Sequence, residues 1–215
     1  MSDTFKHLHD QAYDYLLDKI LAGDFEEDRM YSETGLAEEL QISRTPLHNA
    51  LLQLSQEGYI DILPSRGFKL QRITPKDLRE IYQVCVALES FCAFMISRDR
   101  TTEHARATIA ELEDNLKEQE EIVENGCDID RFIKCDYDFH NLIISYSQNE
   151  LFKSRFKNYR NRIKKYLLKS FKTKTRIPVS LSEHRAICSD IKNGKIENLM
   201  KCMEVHHDDF RHQKI

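Results

Sequence analysis

The hydrophobic positions along this chain change rhythm twice. In the first 58 residues they recur at three- and four-residue steps, in short bursts separated by turn residues. Residues 5–21 set Leu8, Ala12, Tyr15, Leu16 and Ile20 on one helical face, and Gly23 stops the pattern. Ser32, whose hydroxyl can accept from the open N–H groups of a first turn, begins a short helix burying Leu36, Ala37 and Leu40. Ser43 opens a third helix over residues 44–57, with Leu47, Ala50, Leu51 and Leu54 inward and Gly58 as its end. The rhythm then becomes that of extended chain in residues 59–63 and 67–70, around Pro64-Ser65-Arg66, which signals a hairpin. Three helices followed by a hairpin predict a winged helix-turn-helix.

From Pro75 onward the helical period runs long and nearly unbroken. Pro75 forces Thr74 to be extended and itself suits a first helical turn. Six helices are predicted, over about 75–98, 102–125, 128–147, 149–172, 181–193 and 195–212. Amphipathic stripes of that length bury themselves best in an antiparallel all-α bundle. The expected fold is therefore mainly α: a winged helix-turn-helix at 1–72, a linker at 73–77, and a helical domain at 78–215.

Composition agrees and narrows the class. The 215 residues include only six Gly and four Pro, while 32% are charged, as expected of a helix-rich chain with its own core. The longest uninterrupted apolar run, residues 91–96, is far short of the roughly 20 a membrane helix requires. The first thirty residues have acids throughout and no apolar segment of a secretory signal. The six cysteines form no C-x-x-C pair, so reduced thiols in a cytoplasmic protein without a membrane partner are expected.

The stretch Leu36-Ala37-Glu38-Glu39-Leu40-Gln41-Ile42-Ser43-Arg44-Thr45-Pro46-Leu47, then Glu57-Gly58-Tyr59-Ile60 and Pro64-Ser65-Arg66-Gly67-Phe68, resembles the DNA-binding domain of GntR-type bacterial transcription regulators. The resemblance implies a double-stranded DNA operator, a short inverted repeat read by a homodimer, with Arg44, Thr45, His48, Asn49, Ser65 and Arg66 at the interface. Physically, Arg44 at a helix start can bond guanine in the major groove, and Arg66 on the hairpin tip can reach phosphate or the minor groove. The chain departs from the family in having His48-Asn49 where Arg-Glu is usual, and Glu27-Asp28 where Pro-Gly is usual. Residues 1–72 carry 7 basic and 13 acidic side chains, yet nine of the acids precede residue 34 while Arg44, Arg66, Lys69 and Arg72 cluster at the expected DNA face. Two readings of His48 stand open: an imidazolium contacting phosphate as pH falls, or a neutral ring bonding a base edge or water.

In the second part, Asp136 and His140 are four apart and so share a helical face, while His184 and His206 come from two later helices. One carboxylate and three imidazoles suit Zn, Ni, Mn or Fe, although nine histidines make such a spacing common by chance. The segment from Asp136 to Ile143, followed by Ser147-Gln148-Asn149-Glu150-Leu151 and by Glu183-His184, is similar to the FCD ligand-binding domain of the FadR subfamily. That resemblance implies a divalent metal on Asp136, His140, His184 and His206, and a small-molecule effector, an organic acid, near Tyr82, Cys85 and Asn149. His207 should point about 100° away from His206. Family members often carry Arg where Cys85 stands, so the usual cation for a carboxylate is missing from that position.

A run of strong positive charge, 11 Lys plus Arg against one acid, spans residues 150–176; it reads first as a solvated outer face or a contact to the acidic first part, with direct aid to DNA binding or attraction of an anionic effector as the alternative. The function expected is a DNA-binding regulator controlled by a metabolite at a metal site. The alternatives are a metal-dependent enzyme, against which stands the absence of an H-E-x-x-H pair, and a dimer that binds DNA without an effector.

Overall fold

The computed structural model describes residues 2–171 and 175–208. The chain forms two units, Met1–Ile73 and Thr74–Ile215.

The first unit contains α1 (Ser2–Ala22), α2 (Glu33–Glu39), α3 (Arg44–Gln56), β1 (Ile60–Leu63) and β2 (Gly67–Leu70). Its core is the periodic set expected from the sequence: Ala12 and Leu16 of α1 meet Leu47, Ala50, Leu51 and Leu54 of α3, with Leu36, Tyr59, Ile60 and Phe68 around them. Ser32 caps α2, its hydroxyl accepting from the Gly35 N–H at 3.3 Å. Ser43 precedes α3 without a side-chain cap. The antiparallel strands pair Ile60 with Leu70 and Leu63 with Gly67. Tyr31 bridges to Phe68 on the far side of β2, its N–H donating to the Phe68 carbonyl at 2.8 Å. That extra contact brings backbone against backbone at Gly67, which has φ +104° and whose missing Cβ would lie 2.0 Å from the Tyr31 carbonyl oxygen. Only glycine fits there.

The second unit is a helical bundle of α4 (Pro75–Arg98), α5 (Glu103–Glu124), α6 (Ile129–Tyr146), α7 (Glu150–Phe171), α8 (Arg176–Asn193) and α9 (Ile196–Asp208). Thr74 and Asp77 form a reciprocal cap at the start of α4: the Thr74 hydroxyl accepts from the Asp77 N–H and the Asp77 carboxylate from the Thr74 N–H. Pro75 begins α4 as its place in a first helical turn predicts, so the segment 73–77 expected as a linker overlaps the start of the helix. α8 also starts earlier than the expected residue 181: Pro178 lies in its first turn, where a missing N–H breaks no helical hydrogen bond. All six cysteines are free thiols.

By length and composition α4 passes for a membrane-crossing helix, which counting uninterrupted apolar residues did not reveal. Half of its apolar window is buried against protein, and it packs on α6, α7, α8 and α9. Its apolar character is that of a central bundle helix, with an ionisable side chain, Glu89, completely buried near the middle.

Candidate metal centre and DNA-facing groove

α6 carries Asp136 and His140 one turn apart on its inward face, α8 brings His184 and α9 brings His206. All four are buried, and one ligating atom from each lies within 4.8 Å of the others. The Nε2 atoms of His140 and His206 are 3.1 Å apart. Asp136 Oδ1 stands 3.6 Å from His184 Nε2 and 3.9 Å from His140 Nε2.

Hydrogen bonds on the other side of each ring decide what those Nε2 atoms can do. His140 Nδ1 donates to the Glu89 carboxylate, His184 Nδ1 to Gln119 Oε1 at 2.8 Å, and His206 Nδ1 to Glu183 Oε2 at 2.7 Å. An ionised carboxylate accepts only, so Nδ1 of His140 and of His206 holds a proton, the tautomer that in a neutral ring directs the Nε2 lone pair inward. Gln119 is oriented for the same task, because its own amide nitrogen donates to Asn115 Oδ1 at 2.7 Å. Three lone pairs and a carboxylate oxygen therefore converge with no donor among them. His184 Nε2 has no hydrogen-bond partner among the described residues. A divalent cation satisfies this set, and fixing each imidazole through its outer nitrogen is how proteins orient metal-binding histidines.

The electrostatics favour the forms that ligate. Burial pushes His184 down to about 3 and His206 well below the ordinary imidazole value, so both rings are neutral. Burial alone would raise Asp136, but the Arg160 guanidinium beside it holds its carboxyl below the ordinary value. Burial likewise pushes Glu89 up, and His140 and His207 outweigh it, keeping the carboxyl below the usual carboxylate range. Arg160 Nη2 donates to Asp136 Oδ2 at 2.5 Å, which leaves Oδ1 for the cation. Arg176 binds Glu183 Oε2 at 2.8 Å and the His206 carbonyl at 3.2 Å, tying the start of α8 to α9.

Helical spacing put Asp136 and His140 on one face, and the resemblance added His184, with Glu183 beside it, and His206. The other supports, Glu89, Gln119, Arg160 and Arg176, lie on other helices or far along the chain, with nothing in the local pattern to single them out. His207 does point away from His206, yet it is buried too, with Nε2 3.2 Å from Glu89 Oε1. Tyr82 and Cys85 lie on the buried face of α4. Asn149 is engaged elsewhere: its side-chain oxygen caps α7 by accepting from the N–H groups of Leu151 at 2.9 Å and Phe152 at 3.3 Å, so it is not free to line an effector pocket through that atom. Burial pushes the Tyr82 hydroxyl and the Cys85 thiol up, and the buried Arg160 of α7 opposes that shift on both. The Arg160 Nε has no hydrogen-bond partner among the described residues.

In the first unit, the start of α3 and the hairpin enclose a groove lined by Arg44, Thr45 and His48 on one side and by Pro64, Ser65 and Arg66 on the other, with Ser32, Glu33 and Thr34 at its end. Arg44, Thr45, Ser65 and Arg66 are exposed. Asn49 does not line this groove, because it sits one residue further round the helix from His48 and is half-buried.

Comparison with known proteins agrees with both halves. Residues 8–70 match the family of bacterial regulatory proteins called the gntR family, and residues 80–209 match the FCD domain. The chain is 26% identical over 205 residues to the HTH-type transcriptional regulator YdhC of Bacillus subtilis, covering 95% of this chain and 90% of that one. It is 24% identical over 175 residues to the transcriptional repressor RspR of Escherichia coli, covering 81% and 75%. Among solved structures, E. coli McbR/YncC shares the fold with a TM-score of 0.69 at 19% identity, over 94% of each chain. The metal-free FCD domain of TM0439 aligns with a TM-score of 0.50 at 20% identity, over 65% of this chain and 92% of that one. With a gntR-type winged helix-turn-helix, an FCD bundle and the buried Asp/His cluster typical of an FCD metal site, the chain belongs to the GntR family of DNA-binding transcription regulators, FCD subgroup.

Proposed function

We propose that this protein is a cytoplasmic homodimeric regulator whose binding to a short inverted repeat is set by a small anionic metabolite held at a divalent metal in the second unit. The observation that carries this reading is the donor set itself: three imidazoles with inward Nε2 atoms and one carboxylate oxygen, each fixed from behind by a hydrogen bond. A divalent ion on Asp136, His140, His184 and His206, of which Zn, Ni and Mn are candidates, would offer its remaining coordination positions to an anionic oxygen. Arg160 supports the anionic class of effector, since its guanidinium holds Asp136 through one nitrogen and keeps Nε for a second acceptor.

Dimerisation is supported by an exposed apolar face: Val84 and Phe91, two turns apart on α4, and Leu151 on α7, where the Phe91 ring meets Phe152 edge-on at 6.1 Å. A twofold pair of α3 helices would then read the two half-sites. The effector must favour one arrangement of the dimer over another, with a coupling of about 1–3 kcal/mol being typical.

The test is capture of sheared DNA from the source organism by the purified protein at moderate salt, read by sequencing. A few discrete fragments sharing an inverted repeat support the reading, and the neighbouring genes nominate metabolites for release assays. On such a fragment, Arg44→Ala should cost about 1–3 kcal/mol and Arg66→Ala should reduce the salt slope by about one. Failure to enrich any fragment, from a folded dimer, refutes it.

A further inference from the structure

The DNA-facing groove contains one acid, Glu33, against the donor-rich side chains of Arg44, Thr45, Ser65 and Arg66. A carboxylate facing phosphates opposes DNA binding, so its position there calls for a compensating role. Glu33 is the first residue of α2, immediately after the Ser32 cap, where the helix terminus favours a negative charge. Its carboxylate Oε2 lies 3.1 Å from His48 Nδ1, a contact between residues fifteen apart that joins α2 to α3. The Glu33 side chain is 17% exposed, whereas the His48 side chain remains 46% exposed. The pair thus has a sheltered carboxylate and an open imidazole.

We infer that Glu33 is a positioning residue that makes His48 an acceptor-type reader of the operator; the inference rests on the DNA-regulator reading above. An ionised carboxylate only accepts, so His48 Nδ1 donates to it and holds the proton. In the neutral ring, Nε2 then presents a lone pair to the groove. Of the base edges in the major groove, cytosine offers the N4 amino group and adenine the N6 amino group, while the matching positions of guanine and thymine only accept. His48 therefore selects cytosine or adenine at its position in each half-site. This inverts what an arginine there would do, since arginine donates and favours guanine. Arg44, one turn earlier on α3, continues to read as a donor. The recognition surface alternates a donor and an acceptor along a single helix face.

The experiment is selection of binding sites from a randomised duplex pool in mildly alkaline buffer. It uses the full chain as wild type, Glu33→Ala, His48→Ala, the double variant and His48→Arg. The wild type should enrich an inverted repeat with cytosine or adenine at one position per half-site, and His48→Ala should flatten the preference there. Glu33→Ala should weaken the same preference about three- to tenfold, the worth of one hydrogen bond, with no further change when combined with His48→Ala. His48→Arg should turn that position to guanine. The inference is overturned if Glu33→Ala strengthens or weakens all sequences evenly, which is charge relief alone, or if the position sensitive to His48 is guanine or thymine in the wild type. A wild-type protein that enriches no motif removes the regulator reading as well, whereas an enriched motif unmoved by Glu33→Ala removes this inference alone.

Discussion

Replacing Glu89 by Gln should weaken metal binding without touching a single metal ligand. Glu89 is fully buried on α4, takes the His140 Nδ1 proton through one oxygen and stands 3.2 Å from His207 Nε2 through the other. Glutamine has nearly the same shape and keeps one acceptor, so the bundle stays packed. What disappears is the negative charge that makes His140 a stronger donor to a cation and selects its tautomer. Substitutions of such outer partners typically cost 10–100-fold in metal affinity. At RT ln 10 per decade this is about 1.4–2.7 kcal/mol. The loss can be read by competition against a chromophoric chelator, and again as thermal stabilisation, because a bound ligand adds RT ln(1 + [L]/Kd). With free metal far above Kd, each tenfold loss of affinity removes about 1.4 kcal/mol of that stabilisation, or about 3–6 °C of the metal-induced rise in melting temperature. The apo proteins should melt within a few degrees of each other. If Glu89→Gln binds metal as tightly as the wild type, His140 does not depend on its outer hydrogen bond, and the proposed metal reading loses that support.

The remaining expectations test other levels of the structure. His184→Ala should abolish stoichiometric metal in elemental analysis, whereas His207→Ala should retain one ion per chain, since His207 lies outside the converging set; the reverse pattern would assign the site wrongly. Gly67→Ala forces a Cβ to within 2.0 Å of the Tyr31 carbonyl at φ +104°, so calorimetry should find the first unit destabilised by more than about 2 kcal/mol while the second melts unchanged. Metal-free protein should lose stability on acidification. His184 titrates at about 3 when folded but near 6.5 when unfolded, so the unfolded chain binds the extra proton between those values. That contribution is intact above about pH 6.5 and declines as pH falls towards 3; denaturant titrations at pH 7.5 and 5.5 should show it, and His184→Gln should reduce the difference.

Much of this protein could be read along the chain because its signals are local. The stop at Gly23, the cap at Ser32, the helix start at Pro75, the hairpin around Pro64 and the long helical stripes each depend on neighbours within a few residues. Asp136 and His140 shared a face by helical geometry alone, and resemblance to a known domain added His184 and His206. Helix ends involving proline were less legible: Pro178 suggested a loop, yet a first turn tolerates its missing N–H. Nor could the pattern along the chain place Arg160 of α7 near Cys85 of α4, because packing between helices sets that proximity.

The amino-acid sequence by itself determined the two-part organisation, the helix-turn-helix with its hairpin, and the shared helical face of Asp136 and His140. Only the tertiary structure decided which nitrogen each histidine presents, since Glu89 lies 51 residues from His140 and Gln119 lies 65 from His184. It also decided that Arg160 is buried beside Asp136 instead of joining the solvated cations of α7, and that Glu33 meets His48 across two helices. Periodicity records which face of a helix is buried. It does not record what that face touches, and hydrogen-bond direction, tautomer and charge are set by contact.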